Sequence, residues 1–239
     1  MGLTIGVGGL SEAARSEPDE FAEIRQAYDV LNETLAEAGM APHNEPLDIA
    51  AGQVFEAEMW GYGGLHSVRR LAAYHACKGQ LPPPGRYEDY VSDPITEQLN
   101  QQLLRDYRRR EGGFVTRWLT LRSTSRRFQH LLWHSDCEGF YLPRDFEHVV
   151  LDSNIPQRPF IGGMIGSSVR LLQDCNELAE LISLPRNIDI EADEVIMNAQ
   201  SPPTEGAPWQ RYGVETFCLA RLIRGCELSI KYQAALRFH

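Results

Sequence analysis

Apolar residues recur at helical spacing through most of this chain, whereas strict alternation is confined to its two ends. In residues 18–38 and 94–107, apolar side chains three and four positions apart mark one face of a helix. Residues 3–7 and 236–238 instead alternate apolar with small or polar side chains, which is typical of strands, and short terminal strands are ordered mainly when paired. The pattern predicts an α+β fold, predominantly helical, with a small sheet that includes the N- and C-terminal strands.

Several predicted helices carry start and stop signals. Gly39 and Gly79 follow helical patterns as stop residues, and Asp93 before Pro94 opens a helix. Helical phase between Phe114 and Leu132 predicts one helix over 114–133. Residues 186–208 are polar and contain prolines, so we expect a surface loop there.

Length and composition indicate one globular unit. A chain of 239 residues is compatible with one enlarged core, so we expect a single domain over 1–239. Apolar runs stay short of the roughly 18 residues that a membrane helix requires, so we expect no membrane association. The five cysteines are odd in number, widely spaced and without a CxxC pair, which favours reduced thiols and a cytoplasmic location.

Charge is distributed unevenly along the chain. The net charge is -10, and residues 1–60, with twelve acidic and two basic side chains, account for all of it. Residues 105–127 contain eight arginines against two acids, a composition that suits phosphate contacts. Because a chain that is acidic overall binds polyanions poorly, we expect no nucleic-acid partner.

Chemically useful side chains concentrate in residues 128–146, where helical periodicity gives way to a strand. The seven side chains within twelve positions are His130, His134, Ser135, Asp136, Cys137, Glu138 and Tyr141. A carboxylate pair of this type can divide into an acid and a base, and a thiol next to a histidine can act as a nucleophile. The competing interpretations are a turn that uses Asp136 for backbone hydrogen bonds and a buried inert thiol.

A pocket around this motif is our leading hypothesis. His66 and Arg69 lie one helical turn apart and together could hold a carboxylate or phosphate. We therefore expect a small polar or anionic ligand, or a peptide, to bind there. The predicted ligand-binding residues are His66, Arg69, His134, Asp136, Glu138 and Tyr141.

A metal-dependent hydrolase is the first alternative. His130 and His134 are four residues apart and share a helical face, and Asp136 or Glu138 would complete the ligand set. The first histidine is followed by Leu131 rather than by the glutamate of the HExxH pattern. We therefore expect neither a bound metal nor another cofactor.

A stoichiometric partner protein, such as an inhibitor or immunity-type factor, is the second alternative. In that hypothesis the acidic N-terminal segment would contact a basic partner. The residue types by themselves do not distinguish an enzyme from a binding protein, and they leave the oligomeric state open.

The motifs also resemble a known family. AEAGMAPHNEP, LHSVRRLAAYHA, HLLWHSDCEGFYLPRDF, GSSVRLL and the terminal ALRFH are similar to those of an uncharacterised, mainly bacterial protein family with AGxxPHxEP, LHxxRR and HSDCEGFYLPxDF motifs. In that family the segment at 43–46 often reads HHEP, whereas this chain has Asn44. The resemblance implies one intracellular domain and no particular activity, and the departure counts against a metal cluster that needs both histidines.

Overall fold

A computed structural model describes residues 2–16, 18–84, 93–111, 127–133, 135, 137–151 and 158–239. Its strands form one six-stranded sheet in the order β2-β1-β6-β3-β5-β4. They are β1 (Thr4–Val7), β2 (Phe55–Glu58), β3 (Gly139–Leu142), β4 (Val150–Leu151), β5 (Met164–Ser167) and β6 (Leu236–Phe238). β3 and β5 run parallel, and the other neighbouring pairs run antiparallel.

The chain ends meet in the middle of this sheet. β6 lies between β1 and β3, with Ile5 opposite Phe238 and Gly139 also opposite Phe238 on the other side. The predicted α+β class and the inclusion of both terminal strands are therefore confirmed.

Nine helices are present in the described part of the chain, and they surround the sheet. They are α1 (Gly9–Ser16), α2 (Pro18–Glu37), α3 (Gly61–Lys78), α4 (Pro94–Glu111), α5 (Gln129–Leu132), α6 (Ser168–Leu181), α7 (Asp193–Gln200), α8 (Pro208–Arg211) and α9 (Gly213–Tyr232). None of them combines the length and apolar content needed to cross a membrane.

Each face of the sheet has its own hydrophobic core. On one face, α1 and α2 pack Leu10 and Leu31 against Phe140 and Ile165 of the sheet. On the other face, Ile5, Tyr141 and Phe238 belong to a larger core with α3, α6 and α9. Side chains alternate between the two faces of each strand, so alternation decides which face of the sheet each strand residue occupies.

Local signals placed several boundaries correctly. Gly39 and Gly79 follow α2 and α3 with φ of 70° and 64°, which is the left-handed stop that glycine tolerates best. Asp93 caps α4 because its carboxylate accepts from the backbone N–H groups of Ile95 and Thr96 at 2.8 and 3.3 Å.

The predicted helix over 114–133 is not continuous. Residues 112–126 lie outside the described part, and the described remainder is the single turn α5. Phe128, directly before it, has a φ of 61° and is 1 % exposed. Packing of the Phe128 ring in the core stabilises a left-handed backbone conformation, which interrupts a helix at this residue. The periodicity of apolar residues does not show such a break.

The predicted loop over 186–208 contains the helix α7. Val195 and Ala199, four residues apart, are buried and face α9. The polar residues of α7 lie on its exposed side, so its composition resembles that of a loop although one narrow face is apolar.

Candidate functional site

Tyr141, which we predicted as a ligand-binding residue, is a core residue in β3. Its side chain is fully buried and its ring lies 5.4 Å from that of Phe238. The hydroxyl donates a hydrogen bond to the carbonyl oxygen of His130 at 2.6 Å. Burial raises the pKa of Tyr141 well above its usual value, so the phenol stays protonated as a donor.

His130 is also enclosed by protein. It is 2 % exposed, and its Nδ1 accepts a hydrogen bond from the backbone N–H of Ser167 at 3.1 Å. Burial lowers its pKa to about 4, so the imidazole is neutral near pH 7, as an acceptor at Nδ1 requires. The side chain therefore joins α5 to the end of β5.

The remaining predicted residues take different positions. Arg69 is buried in α3, where its Nε donates to the carbonyl oxygen of Leu131 at 3.1 Å, and His66 is half-buried one turn earlier. Glu138 accepts a hydrogen bond from the backbone N–H of Phe160 at 3.1 Å. The structure thus brings Arg69 and Tyr141 together, because both donate hydrogen bonds to backbone carbonyl groups of α5. Glu138 instead binds the backbone of a different loop, at Phe160.

Two of the six predicted residues, His134 and Asp136, lie outside the described part of the chain. Most of the arginine-rich segment over 105–127 also lies outside it. Arg127, at its end, contacts Glu177 and His75. Within the described ranges no three His, Cys, Asp or Glu side chains converge as metal ligands.

Two clefts are lined by other residues. A cleft of about 740 Å³ lies between α6, residues 184–190 and α9. A smaller cleft of about 90 Å³ lies where α1 and α2 meet the sheet, and its walls include Glu12, Glu20, Glu56, Arg237 and His239. In this smaller cleft, Glu12 of α1 and Glu20 of α2 therefore lie near Glu56 of β2.

An extended acidic surface includes the three acids of that small cleft, Glu12, Glu20 and Glu56. Its members are exposed carboxylates in α1, α2 and β2 that make no ion pair with any described residue. We call this set the acidic surface, and it consists of Glu12, Asp19, Glu20, Glu23, Glu33, Glu56 and Glu58.

The helix α2 supplies the longest part of the acidic surface. Its apolar face, including Ile24, Leu31 and Leu35, packs toward the sheet and leaves the acids outside. Four members of the acidic surface lie between Asp19 and Glu33, a span of about 21 Å at the helical rise per residue. One strand of duplex DNA carries about six phosphates over that length.

Strand alternation adds the acids of β2 to the same side. Ala57 is buried in the core that contains α3 and α9, so Glu56 and Glu58, its neighbours in β2, point to the opposite face. That face also carries α1 and α2. Glu20 and Glu56 line the small cleft together with His239, whose pKa is lowered by burial and by Arg237 against the opposite effect of these two carboxylates.

Among the described residues, few cations offset this surface. Arg25 pairs with Asp29 at 3.7 Å, Arg158 pairs with Glu37, and Arg15 donates to the carbonyl oxygen of Ile49. In the described contacts, these three arginines bind groups outside the acidic surface. An array of this kind can bind a cationic protein surface through many exposed ion pairs.

The signal for this surface was present in the sequence. The excess of acids in residues 1–60 was identified, but it supported only the second alternative. Periodicity places Asp19, Glu23 and Glu33 on one side of α2, whereas the proximity of Glu56 to Glu12 and Glu20 depends on the sheet and could not be read from spacing.

A comparison with protein families matches nearly the whole chain. A family model described as "Putative DNA-mimic protein" covers residues 1–238. No curated protein and no solved structure matches the chain.

The family description overturns two expectations. The expected ligand pocket around residues 128–146 as the functional site is wrong, because the family description indicates a DNA-binding protein as the partner rather than a small ligand, and the comparisons give no support for a hydrolase. The expectation that nucleic acid has no part in the interactions of this chain is also corrected, because the family description implies a partner that binds DNA. A net negative charge opposes binding to DNA, but an acidic surface can also take the place of DNA on a DNA-binding protein.

Proposed function

We infer, since the chain belongs to this family of DNA-mimic proteins, that it binds a DNA-binding protein and competes with DNA for it. The proposal takes up the partner-protein alternative with a defined partner class. The observation that carries it is the acidic surface, in which seven exposed carboxylates lack an ion pair within the described part. A protein site built for phosphates presents arginine and lysine, and these would pair with carboxylates at similar spacing.

The arrangement of acids in α2 works against the stability of the helix. Asp29, Glu33 and Glu37 are like charges at intervals of four residues, which destabilise a helix by about 0.2 to 0.5 kcal/mol per pair. The last turn of α2 contains no basic residue, although the negative end of the helix dipole favours one. These carboxylates are retained although they destabilise the helix, which supports a role for them in binding.

Buried contacts hold this helix layer on the sheet. His43 Nε2 lies 2.7 Å from Glu45 Oε2, and the same carboxylate oxygen accepts from the backbone N–H of Ala235 at 2.8 Å. Asn32 of α2 exchanges two hydrogen bonds with the backbone of His43. The acids are therefore carried on a positioned scaffold, which limits the entropy lost on binding.

The test is affinity purification from cells of the source organism, followed by competition with duplex DNA. Proteins retained by the tagged chain are identified by mass spectrometry, purified and bound again in the presence of DNA fragments. We expect a DNA-binding protein that duplex DNA displaces, with an affinity that falls as salt rises. Retention of no DNA-binding protein, or retention that DNA leaves unchanged, would contradict the proposal.

A matched pair of variants separates the acidic surface from total charge. E20Q/E23Q/E33Q removes three charges from α2, and we expect binding to fall at least tenfold. E180Q/D193N/E227Q removes three exposed charges from the opposite helix layer and should bind as the natural chain does. Equal losses in both variants would mean that only net charge matters.

A further inference from the structure

Exposed aromatic side chains are concentrated directly after β2. In the described part of the chain the large apolar side chains with the greatest exposure are Leu47, Trp60, Tyr62 and Met197, at 48, 36, 38 and 64 %. Trp60 and Tyr62 are two residues apart, so their α-carbons lie within about 7 Å of each other. An exposed pair of this kind is unusual on a surface that is otherwise charged.

The backbone at this point is constrained. Trp60 has a φ of 58° and Gly61 a φ of 62°, so two consecutive residues adopt the left-handed conformation before α3 begins. A bulky residue rarely adopts this conformation, and such residues cluster at functional sites. The turn directs the chain from β2 into α3 and leaves Tyr62 exposed on the first helical turn.

The Trp60 ring is held in place although it is exposed. Its centroid lies 5.2 Å from that of Phe217 in an edge-on contact. The guanidinium carbon of Arg221 lies 3.4 Å from the Phe217 centroid, and Arg221 also pairs with Glu191 at 2.9 Å. A large ring fixed before binding loses little conformational entropy when a partner covers it.

Two members of the acidic surface directly precede the aromatic pair along the chain. Glu56 and Glu58 are exposed in β2, which is an edge strand that pairs with β1 alone among the described strands. Arg221 is near enough to Glu58 to act on it electrostatically, but its guanidinium is bonded to Glu191 and to the carbonyl oxygen of Phe217. The chain from Glu56 to Tyr62 therefore combines exposed carboxylates with two exposed aromatic rings, of which that of Trp60 is held by Phe217.

We propose that Trp60 and Tyr62, with Glu56 and Glu58 beside them, form the specificity-determining part of the interface, where they receive an arginine-bearing patch of the DNA-binding partner. The inference rests on the proposed function and adds a site to it. Carboxylates alone attract any polycation, whereas aromatic rings stack on guanidinium groups and dominate binding energy where water is excluded. Charge complementarity selects a basic partner, and the rings select among basic partners.

The first experiment places a photo-crosslinking amino acid at Tyr62, at Glu23 or at Met197 in cells of the source organism. We expect crosslinks from positions 62 and 23 to the same DNA-binding protein, through peptides that contain arginine, and suppression of both by duplex DNA. Met197, exposed on α7, is the matched control and should give none. Crosslinks from position 23 without any from position 62 would overturn the inference and leave the proposed function intact.

The second experiment measures affinity for the purified partner and for poly-L-lysine, which responds to charge alone. W60N/Y62A removes both rings, and asparagine tolerates the left-handed backbone at position 60. We expect at least a tenfold loss of partner affinity, an unchanged affinity for poly-L-lysine, and the full affinity for both in M197A. A loss below twofold, or an equal loss for poly-L-lysine, would overturn the inference.

Two controls complete the design. The melting temperature of W60N/Y62A reports whether losing the contact with Phe217 harms the fold. If it does, Y62A alone gives the same readouts from a surface position. Failure of E20Q/E23Q/E33Q to weaken partner binding would instead contradict the proposed function, because that variant leaves both rings in place.

Discussion

The ring of Tyr141 occupies the space in which a side chain at Gly166 would lie. The two residues are opposite each other in the parallel pair β3 and β5, and a β-carbon on Gly166 would be 2.2 Å from Tyr141 Cδ1. The ring is fully buried and its hydroxyl is bonded, so it has no room to move. Tyr141 and Gly166 therefore fit only as a pair.

Replacing Gly166 by alanine should destabilise the protein by about 3 kcal/mol, because the added methyl group overpacks a closed core. Denaturant unfolding followed by circular dichroism measures the change. Gly52→Ala is the control, since nothing lies within 4 Å of a β-carbon there. Equal stability of the two variants would show that the ring can shift.

Tyr141→Phe keeps the ring and removes the hydroxyl that bonds to His130. We expect a loss of about 1 to 2 kcal/mol, since the buried carbonyl oxygen is left without this donor. Binding of the partner protein should not change, because the residue lies in the core. A weakened partner interaction in a variant that still folds would assign Tyr141 a role in the interface.

Glu215 should make stability depend on pH. The side chain is 2 % exposed, and burial raises its pKa to about 7 from 4.5. The folded state then binds the proton more tightly than the unfolded state. The stability that this tighter proton binding contributes is fully present below about pH 4.5 and is lost as the pH rises through about 7.

The variant Glu215→Gln removes this titration. It should match the natural protein near pH 5 and exceed it by about 2 kcal/mol at pH 8, where the natural carboxylate is charged in the core. Comparing the two proteins at each pH cancels the contribution of His130, whose lowered pKa destabilises the fold at acid pH. Unfolding curves with a constant difference from pH 5 to 8 would contradict the prediction.

Glu33→Lys should raise stability and lower function at once. A lysine near the C-terminus of α2 favours the helix dipole and replaces two repulsions, with Asp29 and Glu37, by attractions, so we expect a gain of about 0.5 kcal/mol. Asp19→Lys makes the same charge change at the N-terminus and should lower stability. Both variants should weaken partner binding, and a stabilised E33K variant with full affinity would place the interface elsewhere.

Deletion of residues 234–239 should abolish cooperative folding, because β6 joins β1 to β3 and its loss divides the sheet. The expected loss exceeds about 5 kcal/mol, which is the low end of domain stability. L236D/F238D retains the chain length and tests whether burial of the two apolar side chains is responsible. An unchanged melting temperature after the deletion would mean that the sheet does not need β6 between β1 and β3.

The sequence by itself determined the features that local physics controls. Gly39 and Gly79 mark helix ends because glycine adopts left-handed backbone at little cost, and Asp93 caps α4 because its carboxylate reaches the nearby N–H groups. Alternation at the two ends predicted the terminal strands. The acidic charge of residues 1–60 was also fixed by composition alone.

Only the tertiary structure decided what distant residues do together. Tyr141 resembles a site residue in the sequence, and the core of β3 and β5 makes it a packing residue. Phe128 breaks a helical pattern because its ring is buried, and α7 is stabilised by contacts with α9 that its composition does not show. Glu12, Glu20 and Glu56 meet because the sheet places β2 beside α1 and α2. Such contacts join residues far apart in the chain, and their free energy depends on burial and distance, which spacing along a sequence does not contain.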